Sequence, residues 1–300
     1  MAVVDWIAVD WGTTHMRAWL MAADGQVLDA RSSDRGMGTL APEGYEAALL
    51  ALVADDLADG TVPVIVCGMA GAKQGWAEAP YAAVPCAPPD PRGARHVPTQ
   101  DARLQVYILS GVSQHSPAEV MRGEETQIKG LIASRPDFDG VACLPGTHTK
   151  WAHLSAGEIV SFQTFMTGEM FALLSQQSVL RHTVASTGWD DDAFATAVDD
   201  AMSRPQAVAA KLFGLRADAL LNALDGATAR ARLSGLLIGI ELAAARPYWL
   251  GQQVALIGAA ASCDAYQNAL TAQGVPVLRL DPTEMTLAGL SAAYSELEPS

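Results

Sequence analysis

Residues 3–33, VVDWIAVDWGTTHMRAWLMAADGQVLDARSS, decide the fold. The run 3–10 is short and apolar, and its Val and Ile content is typical of a central buried strand. A turn follows at Trp11–Thr14, and Asp24-Gly25 is a dipeptide typical of a two-residue hairpin. The second and third predicted strands cover residues 16–22 and 26–33. This stretch therefore predicts the start of an α/β sheet.

The same pattern occurs again from residue 140. The strand GVACL (140–144) precedes a turn at Pro145–Thr149, and Ala156-Gly157 joins the next two predicted strands, 150–154 and 158–165. Gly146 lies 134 residues after Gly12, in the equivalent turn. Because an internal repeat constrains architecture more than any single element does, we expect two related domains.

The other elements fill both halves of the chain. They are a helix over 42–57, a strand over 62–67, a Pro-rich loop over 78–98, a strand over 104–110, a helix over 168–181, a helical stretch over 190–246, a strand over 253–257, a helix over 262–273, a strand over 275–280 and a last helix from about 283. The expected domains are 1–135 with the C-terminal helix 284–300, and 136–283.

Composition excludes several classes of protein. The 300 residues are 50% hydrophobic, which is enough for a core without disulfide staples. A net charge of −14 disfavours binding to nucleic acid. The four cysteines (67, 86, 143, 263) are far apart, as buried thiols in a reducing compartment are. No basic leader and no long apolar run is present, so we expect a cytoplasmic protein without a membrane segment.

The first turn carries Asp10, Gly12, Thr13 and Thr14. An Asp at the carboxyl end of a buried strand lies where open sheets place their ligands. Backbone N–H groups after a Gly can form an anion site, and the Asp can hold Mg²⁺ through water. An Asx-type turn between two strands uses the same residues. Arg17, on the next strand, is a candidate for an anionic group or a solvated surface residue.

The second turn, Gly146-Thr147-His148-Thr149, occupies the equivalent place and strengthens the phosphate interpretation. Two such turns could bind a polyphosphate from both sides. The chain contains neither a G-x-x-x-x-G-K-[ST] loop nor a G-x-G-x-x-G after a strand. A nucleotide site would therefore be of the two-hairpin kind.

Glu124 and Glu125, in GEETQ, are the candidates for proton transfer. Phosphorylation of an alcohol needs a carboxylate within hydrogen-bond reach of the hydroxyl. Two acids after a Gly also favour the positive end of a helix dipole. The sequence leaves both interpretations open.

Two loops at strand ends are candidates for binding. Residues 68–76 contain Gly71, Gln74 and Trp76, which suit a polar, hydroxylated substrate, although a Trp in a loop more often packs. Gly258-Ala259 follows the strand predicted over 253–257 and could admit a purine close to the backbone, or serve only helix–strand packing.

Six strings of this sequence resemble those of a known family. The strings VDWGTTHMRAWL, CGMAGAKQGWAEAPY, GEETQIKG, LPGTHTKW, FMTGEMFALL and LSGLLIGIEL are similar to those of the 2-keto-3-deoxygalactonate kinases. That family lies within the superfamily of sugar kinases, actin and heat-shock ATPases. The resemblance implies a duplicated ribonuclease H-like (actin-like ATPase) α/β fold with two domains and a ligand cleft between the halves.

The resemblance also implies an activity: ATP-dependent phosphorylation of the C6 hydroxyl of 2-keto-3-deoxygalactonate in galactonate catabolism, with Mg²⁺. It assigns Asp10, Gly12, Thr13 and Thr14 to the first phosphate segment. Gly146, Thr147 and His148 form the second segment, and Gly258 and Ala259 the adenosine segment. It implies that the base is Glu124, Glu125 or Asp10, and that Asp10 is the metal ligand. Arg17, the loop 68–76, Thr167 and Glu169 are the substrate candidates.

The sequence is also compatible with two other functions. One is a kinase for a different aldonate or sugar, and the other is a non-catalytic, actin-like nucleotide-binding protein. The sequence does not decide the oligomeric state, and a homodimer is compatible with it.

Overall fold

The computed structural model describes residues 3–57 and 60–297. The strands in these ranges are β1 (Trp6–Trp11), β2 (Met16–Met21), β3 (Val27–Ser33), β4 (Val62–Gly68), β5 (Tyr81–Ala83), β6 (Arg95–Val97), β7 (Leu104–Ile108), β8 (Gly111–His115), β9 (Ala118–Met121), β10 (Gly140–Leu144), β11 (Thr149–Ser155), β12 (Glu158–Phe165), β13 (Val254–Ile257) and β14 (Val277–Leu280). The helices are α1 (Tyr45–Val53), α2 (Glu124–Ser134), α3 (Thr167–Gln176), α4 (Asp191–Ser203), α5 (Val208–Leu221), α6 (Gly226–Ala244), α7 (Arg246–Trp249), α8 (Ala260–Ala272) and α9 (Pro282–Leu297).

The chain divides into two compact units. The first contains the described residues up to Asp139, Leu154–Ser161 at the tip of the β11–β12 hairpin, and α9. The second contains Gly140–His153 and Phe162–Asp281. The domain boundaries drawn from the sequence stay a prediction, and the part of the last predicted helix at 298–300 lies outside the described residues.

The first unit is built on a six-stranded sheet in the order β3-β2-β1-β4-β7-β6. Strand β1 pairs antiparallel with β2 and parallel with β4, and β4 pairs parallel with β7. Residues Trp6–Val9 of β1 are fully buried, which explains the continuous apolar run of this central strand. The register places Asp10 opposite Cys67 on β4 and Arg17 on β2.

The second unit is built on a five-stranded sheet in the order β12-β11-β10-β13-β14. Strands β10 and β13, and strands β13 and β14, pair parallel. Position by position, this order matches β3-β2-β1-β4-β7 of the first sheet. The duplicated α/β fold expected from the two Gly-Thr turns is therefore confirmed.

Local details differ from the sequence-based prediction. The predicted helix over 42–57 is α-helical only at Tyr45–Val53, with 3₁₀ turns before and after it. The helix predicted over 168–181 ends at Gln176, because the Ser178 side chain accepts the N–H of Leu180 and starts a separate 3₁₀ turn.

The segment predicted as a Pro-rich loop contains β5 and β6. Strand β6 joins the edge of the first sheet, and β5 forms a three-stranded sheet with β8 and β9. Strands of three residues are too short for a period of two to be read from the sequence. The sequence-based prediction therefore lacks β5 and β6, and it also lacks β8 and β9, which have five and four residues.

Helix α9 packs against α2 with almost no side chain between them. A Cβ at Gly130 would lie 1.9 Å from the carbonyl oxygen of Met285, and one at Gly289 would lie 2.0 Å from that of Thr126. Nearby, Lys129 pairs with Glu296 at 2.9 Å. The rings of Trp6 and Tyr294 stack at 4.5 Å. Helix α9 is therefore an integral part of the first unit.

No helix among residues 3–57 and 60–297 is both long enough and apolar enough to cross a membrane. The thiols of Cys67, Cys143 and Cys263 are buried, whereas that of Cys86 is partly exposed.

Candidate active site

Asp10 lies near the end of β1, where it is held by groups from two other elements. Arg17 Nη2 donates to Asp10 Oδ2 at 2.5 Å, and Arg17 Nη1 donates to the Thr283 hydroxyl at the start of α9 at 3.0 Å. The Cys67 thiol lies 3.8 Å from Asp10 Oδ1. Arg17, a substrate candidate from the sequence, is thus paired with another site residue.

The first Gly-Thr turn is braced by the segment that follows β3. The N–H groups of Met37 and Gly38 donate to the carbonyl oxygens of Gly12 and Thr13 at 3.0 and 2.9 Å. A Cβ at Gly36 would lie 2.3 Å from the backbone carbon of Thr14, so only glycine permits this approach. Thr13 and Thr14 themselves are exposed. The segment after β3 therefore holds the backbone of the turn, while Thr13 and Thr14 stay exposed to solvent.

Two glycines bring the loop after β4 against the turn before α2. Gly68 has φ +88° and Gly123 has φ +109°, a region that favours glycine. A Cβ at Gly68 would lie 2.7 Å from the Trp11 carbonyl oxygen and 3.4 Å from Asp10 Oδ1. A Cβ at Gly123 would lie 3.4 Å from the Gly68 Cα. Asp10 and the GEETQ segment are therefore neighbours in the first unit.

The two acidic residues of GEETQ have different environments at the start of α2. Glu125 is 1% exposed, and both of its carboxylate oxygens accept the Gly123 N–H, at 2.8 and 2.7 Å. Glu124 is only partly buried, and its Oε2 accepts the Arg122 N–H at 3.1 Å. Glu125 thus caps the helix, while Glu124 is the more accessible carboxylate.

Burial, with a smaller contribution from the charge of Glu124, raises the pKa of Glu125 from 4.5 to about 7. The folded protein therefore binds this proton more tightly than the unfolded chain does. The carboxyl group consequently lowers stability as the pH rises from about 4.5 to above 7, by about 3 kcal/mol in total.

We expect Glu125→Gln, which keeps an acceptor for the Gly123 N–H, to be more stable than the wild type by less than about 1 kcal/mol at pH 5, where the unfolded chain has only begun to lose this proton. At pH 8 the variant should be more stable by up to about 3 kcal/mol. Urea unfolding at pH 5, 6, 7 and 8 measures the difference. Parallel stability curves for the two proteins would show that Glu125 keeps its ordinary pKa.

The loop 68–76 places its candidate residues in three different environments. The Trp76 ring stacks on Tyr45 at 5.9 Å and meets the edge of Trp11 at 5.8 Å. Gly71 is buried, whereas Gln74 is exposed. The Trp76 ring is thus part of an aromatic cluster on the core of the first unit, in the packing role that the sequence offered as its alternative.

The second Gly-Thr turn is exposed at Gly146–His148 and packs against the start of α3. The Glu169 N–H donates to the Thr147 carbonyl oxygen at 3.0 Å, and His148 Nε2 lies 2.6 Å from Glu169 Oε2. A Cβ at Gly168 would lie 2.2 Å from the Gly146 carbonyl oxygen. Helix α3 therefore fixes this turn, and Glu169 is bound to it.

Behind this turn lies a buried carboxylate that sequence reasoning did not select. Glu241 on α6 is 1% exposed and accepts hydrogen bonds from Trp151 Nε1 at 2.7 Å, from the Tyr266 hydroxyl at 2.8 Å and from the Thr167 hydroxyl. Burial raises its pKa, and these three donors oppose that rise. The Thr167 hydroxyl, a substrate candidate, is thus engaged in an internal contact.

A cavity of about 800 Å³ opens beside the second turn, within the second unit. Residues lining it include Gly146, Thr167, Trp189, Arg230, Tyr266 and Asn268. Its α8 wall begins directly after Gly258-Ala259, and a Cβ at Gly258 would lie 3.0 Å from the Pro145 carbonyl oxygen. Such a volume accommodates a ligand of nucleotide size.

Sequence reasoning did not select several residues of the candidate site. Glu241 carried a signal, since a lone acid interrupts the apolar run LSGLLIGIEL. Trp189, Arg230 and Asn268 carried none, because tertiary packing alone brings them to one cavity. Arg122 was also missed, although it directly precedes the GEETQ segment.

The matching strand orders of the two sheets define a duplicated α/β fold, the actin-like ATPase fold. The crystal structure of component A of (R)-2-hydroxyglutaryl-CoA dehydratase from Acidaminococcus fermentans shares this fold. It has a TM-score of 0.53 at 14% identity and covers 97% of this chain and 98% of that chain. At this identity the likeness concerns the fold alone.

The family itself is shown by sequence. The model of the 2-keto-3-deoxy-galactonokinase family matches residues 10–293. The chain belongs to this family.

Three relatives agree with the family assignment. The "Probable 2-dehydro-3-deoxygalactonokinase DgoK1" of Rhizobium meliloti (strain 1021) is 40% identical over 97% of both chains. The 2-dehydro-3-deoxygalactonokinase of Escherichia coli (strain K12) is 36% identical over 91% of both. The crystal structure of a candidate 2-dehydro-3-deoxygalactonokinase from Sinorhizobium meliloti is 39% identical, with a TM-score of 0.92, and covers 98% of this chain and 100% of that chain.

Proposed function

We propose that this protein transfers the γ-phosphoryl group of ATP to the C6 hydroxyl of 2-keto-3-deoxygalactonate. The observation that carries the proposal is the family match over residues 10–293, which spans both Gly-Thr turns and the GEETQ segment. The identity of 40% and 36% to proteins named for this activity supports the substrate.

The nucleotide is proposed to bind through backbone donors rather than basic side chains. The turns containing Gly12, Thr13 and Thr14, and Gly146, Thr147 and His148, each follow the first strand of a sheet and are open to solvent. Exposed backbone N–H groups in such turns bind phosphate oxygens. The cavity beside Gly258-Ala259, of about 800 Å³, has the size for the adenosine moiety.

Asp10 is proposed to hold Mg²⁺. In the part of the chain that the structure describes, no three His, Cys, Asp or Glu residues cluster in a way that could bind a metal ion. Mg²⁺ at a phosphate site usually takes one or two carboxylates and completes its shell with water and phosphate oxygens, so a single Asp fits. When bound, the ion supplies charge neutralisation to the transferred group. The Arg17 contact of 2.5 Å orients the carboxylate.

Glu124 is proposed to accept the proton of the C6 hydroxyl. It is the more accessible of the two acids, and Asp10 is the remaining candidate. Glu125 is proposed to hold the Gly123 turn through the Gly123 N–H. A general base contributes through its position and through a pKa suited to the operating pH.

Among the substrate candidates, Gly71 and Gln74 remain proposed contacts. The side chains of Arg17, Trp76, Thr167 and Glu169 are engaged with neighbouring residues. We propose that these four residues position the site.

A screen of sugar acids with coupled detection of ADP tests the function. We expect 2-keto-3-deoxygalactonate to give the highest kcat/KM, with ADP release that depends on the acid and on Mg²⁺. Rapid turnover of another acid, with none of this one, would reject the substrate. ADP release independent of every acid would instead favour a nucleotide-binding protein that does not phosphorylate sugars.

A further inference from the structure

Arg122 occupies an unusual position in the first unit. It follows β9 and directly precedes Gly123, and its side chain extends back to the loop after β4. A Cβ at Gly71 would lie 2.7 Å from Arg122 Nη1, so the absence of a side chain at Gly71 makes room for the guanidinium group. Arg122 Nη2 donates to the Ala79 carbonyl oxygen at 2.8 Å, and the Tyr81 ring centroid lies 4.3 Å from the guanidinium carbon.

The guanidinium group has two buried donors without an acceptor. Neither Nε nor Nη1 of Arg122 has a hydrogen-bond partner among residues 3–57 and 60–297. A buried polar group without a partner lowers stability, and native structures contain few of them. A charged donor of this kind is satisfied by an ordered water or by an acceptor from a ligand.

Four other arginines of the same unit are neutralised internally. Arg17, Arg31, Arg92 and Arg103 each pair with an aspartate at 2.5–2.8 Å. No carboxylate forms such a pair with Arg122 in the described ranges. Its positive charge acts on Glu125, but both Glu125 oxygens bind the Gly123 N–H instead. Arg122 thus keeps a positive charge available to an anion.

The position of the Arg122 guanidinium group suits the binding of the carboxylate of a sugar acid. Gly71, against which Arg122 packs, belongs to the loop that begins at Gly68, and Gly68 contacts both Asp10 and Gly123. The chain as a whole carries −14, which repels a carboxylate, so an acid must be captured by a local cation. Arginine suits this role because its donors are fixed and always charged.

We propose that Arg122 binds the carboxylate of the substrate and selects sugar acids over neutral sugars. This inference rests on the proposed function in one respect, namely that the substrate is an acid. Because Nε and Nη1 are buried, this role requires side chains around the guanidinium group, among them the Tyr81 ring stacked on it, to move when the carboxylate binds. That ring is 42% exposed, so it can move without unpacking the core.

The test compares the acid with its neutral carboxamide in the wild type and in Arg122→Gln. For the acid we expect kcat/KM of the variant to fall about 100-fold, the size of a lost charged hydrogen bond. For the carboxamide we expect kcat/KM of the wild type and of Arg122→Gln to agree within about threefold, because the neutral carboxamide forms no ion pair in either protein. Arg122→Lys should lie between them for the acid. Arg92→Gln, which removes an exposed guanidinium paired with Asp90, is the matched control and should match the wild type.

Equal losses on acid and carboxamide would overturn the inference, since a structural role affects both alike. If Arg122→Gln does not fold, the ratio of acid to carboxamide turnover in Arg122→Lys decides: an unchanged ratio rejects the role. Failure of the proposed function would be recognised separately, from the substrate that the wild type phosphorylates. If the wild type uses another sugar acid, the comparison is made on that acid and its carboxamide. If it uses only neutral sugars, Arg122 has no such role.

Discussion

Replacing Glu124 with glutamine is expected to lower kcat for phosphoryl transfer by about 10²–10⁴-fold, the range for loss of a positioned general base. The side chain keeps its size, and its remaining oxygen can still accept the Arg122 N–H, so the turn before α2 should persist. ATP binding should stay within about twofold, because the proposed nucleotide contacts lie on other segments. Single-turnover kinetics and calorimetric titration of ATP measure the two quantities.

Two further variants serve as comparisons for Glu124→Gln. Glu43→Gln changes an exposed acid near α1 in the same unit and should leave kcat unchanged. Asp10→Asn should raise the Mg²⁺ concentration that gives half-maximal turnover, which Glu124→Gln should not. Full turnover in Glu124→Gln, together with a large loss in Glu125→Gln or Asp10→Asn, would transfer the role of base to that residue.

Gly130→Ala is expected to lower the free energy of unfolding by about 3 kcal/mol, at the upper end for overpacking. The added methyl group would lie 1.9 Å from the Met285 carbonyl oxygen, and backbone cannot yield as a flexible side chain can. Helices α2 and α9 must therefore separate. Because α2 begins at Glu124 and α9 carries the Thr283 contact to Arg17, turnover should fall as well.

Gly214→Ala is the matched control for this substitution. Gly214 lies within α5, where a Cβ would have no neighbour within 4 Å. Alanine should therefore stabilise the helix by about 0.5–1 kcal/mol through its higher helix propensity. Urea unfolding of both variants gives the comparison. If Gly130→Ala stabilised the protein to the same extent, the close contact of α2 with α9 would be contradicted.

The sequence predicts the sheet architecture well because its signals are local. Val and Ile runs, the Asp24-Gly25 hairpin and the repeated Gly-Thr turn each depend on adjacent residues. The matching strand orders of the two sheets follow from that repeat. The positions of Asp10, Gly12 and Gly146 at strand ends could therefore be predicted without coordinates.

The chemical environment of the site could be predicted only in part, because it depends on distant contacts. Arg17 looked available for an anion, yet the register of β1 and β2 pairs it with Asp10. Thr167 looked like a substrate contact, yet Glu241, 74 residues later in the chain, accepts its hydroxyl group. Arg122 directly precedes the GEETQ segment, but its orphaned donors become visible only once Gly71 and Tyr81 are packed around it.

The C-terminal position of α9 affects the order of events during translation. The 142 residues from Gly140 to Asp281 must be synthesised before α9 leaves the ribosome, which takes roughly 7–30 s. Until then the nascent first unit lacks Leu290, Ala293 and Tyr294, and the sheet surface around Trp6 stays uncovered. Chaperones that bind exposed apolar segments have that interval in which to act, so the unit begun first is the one completed last.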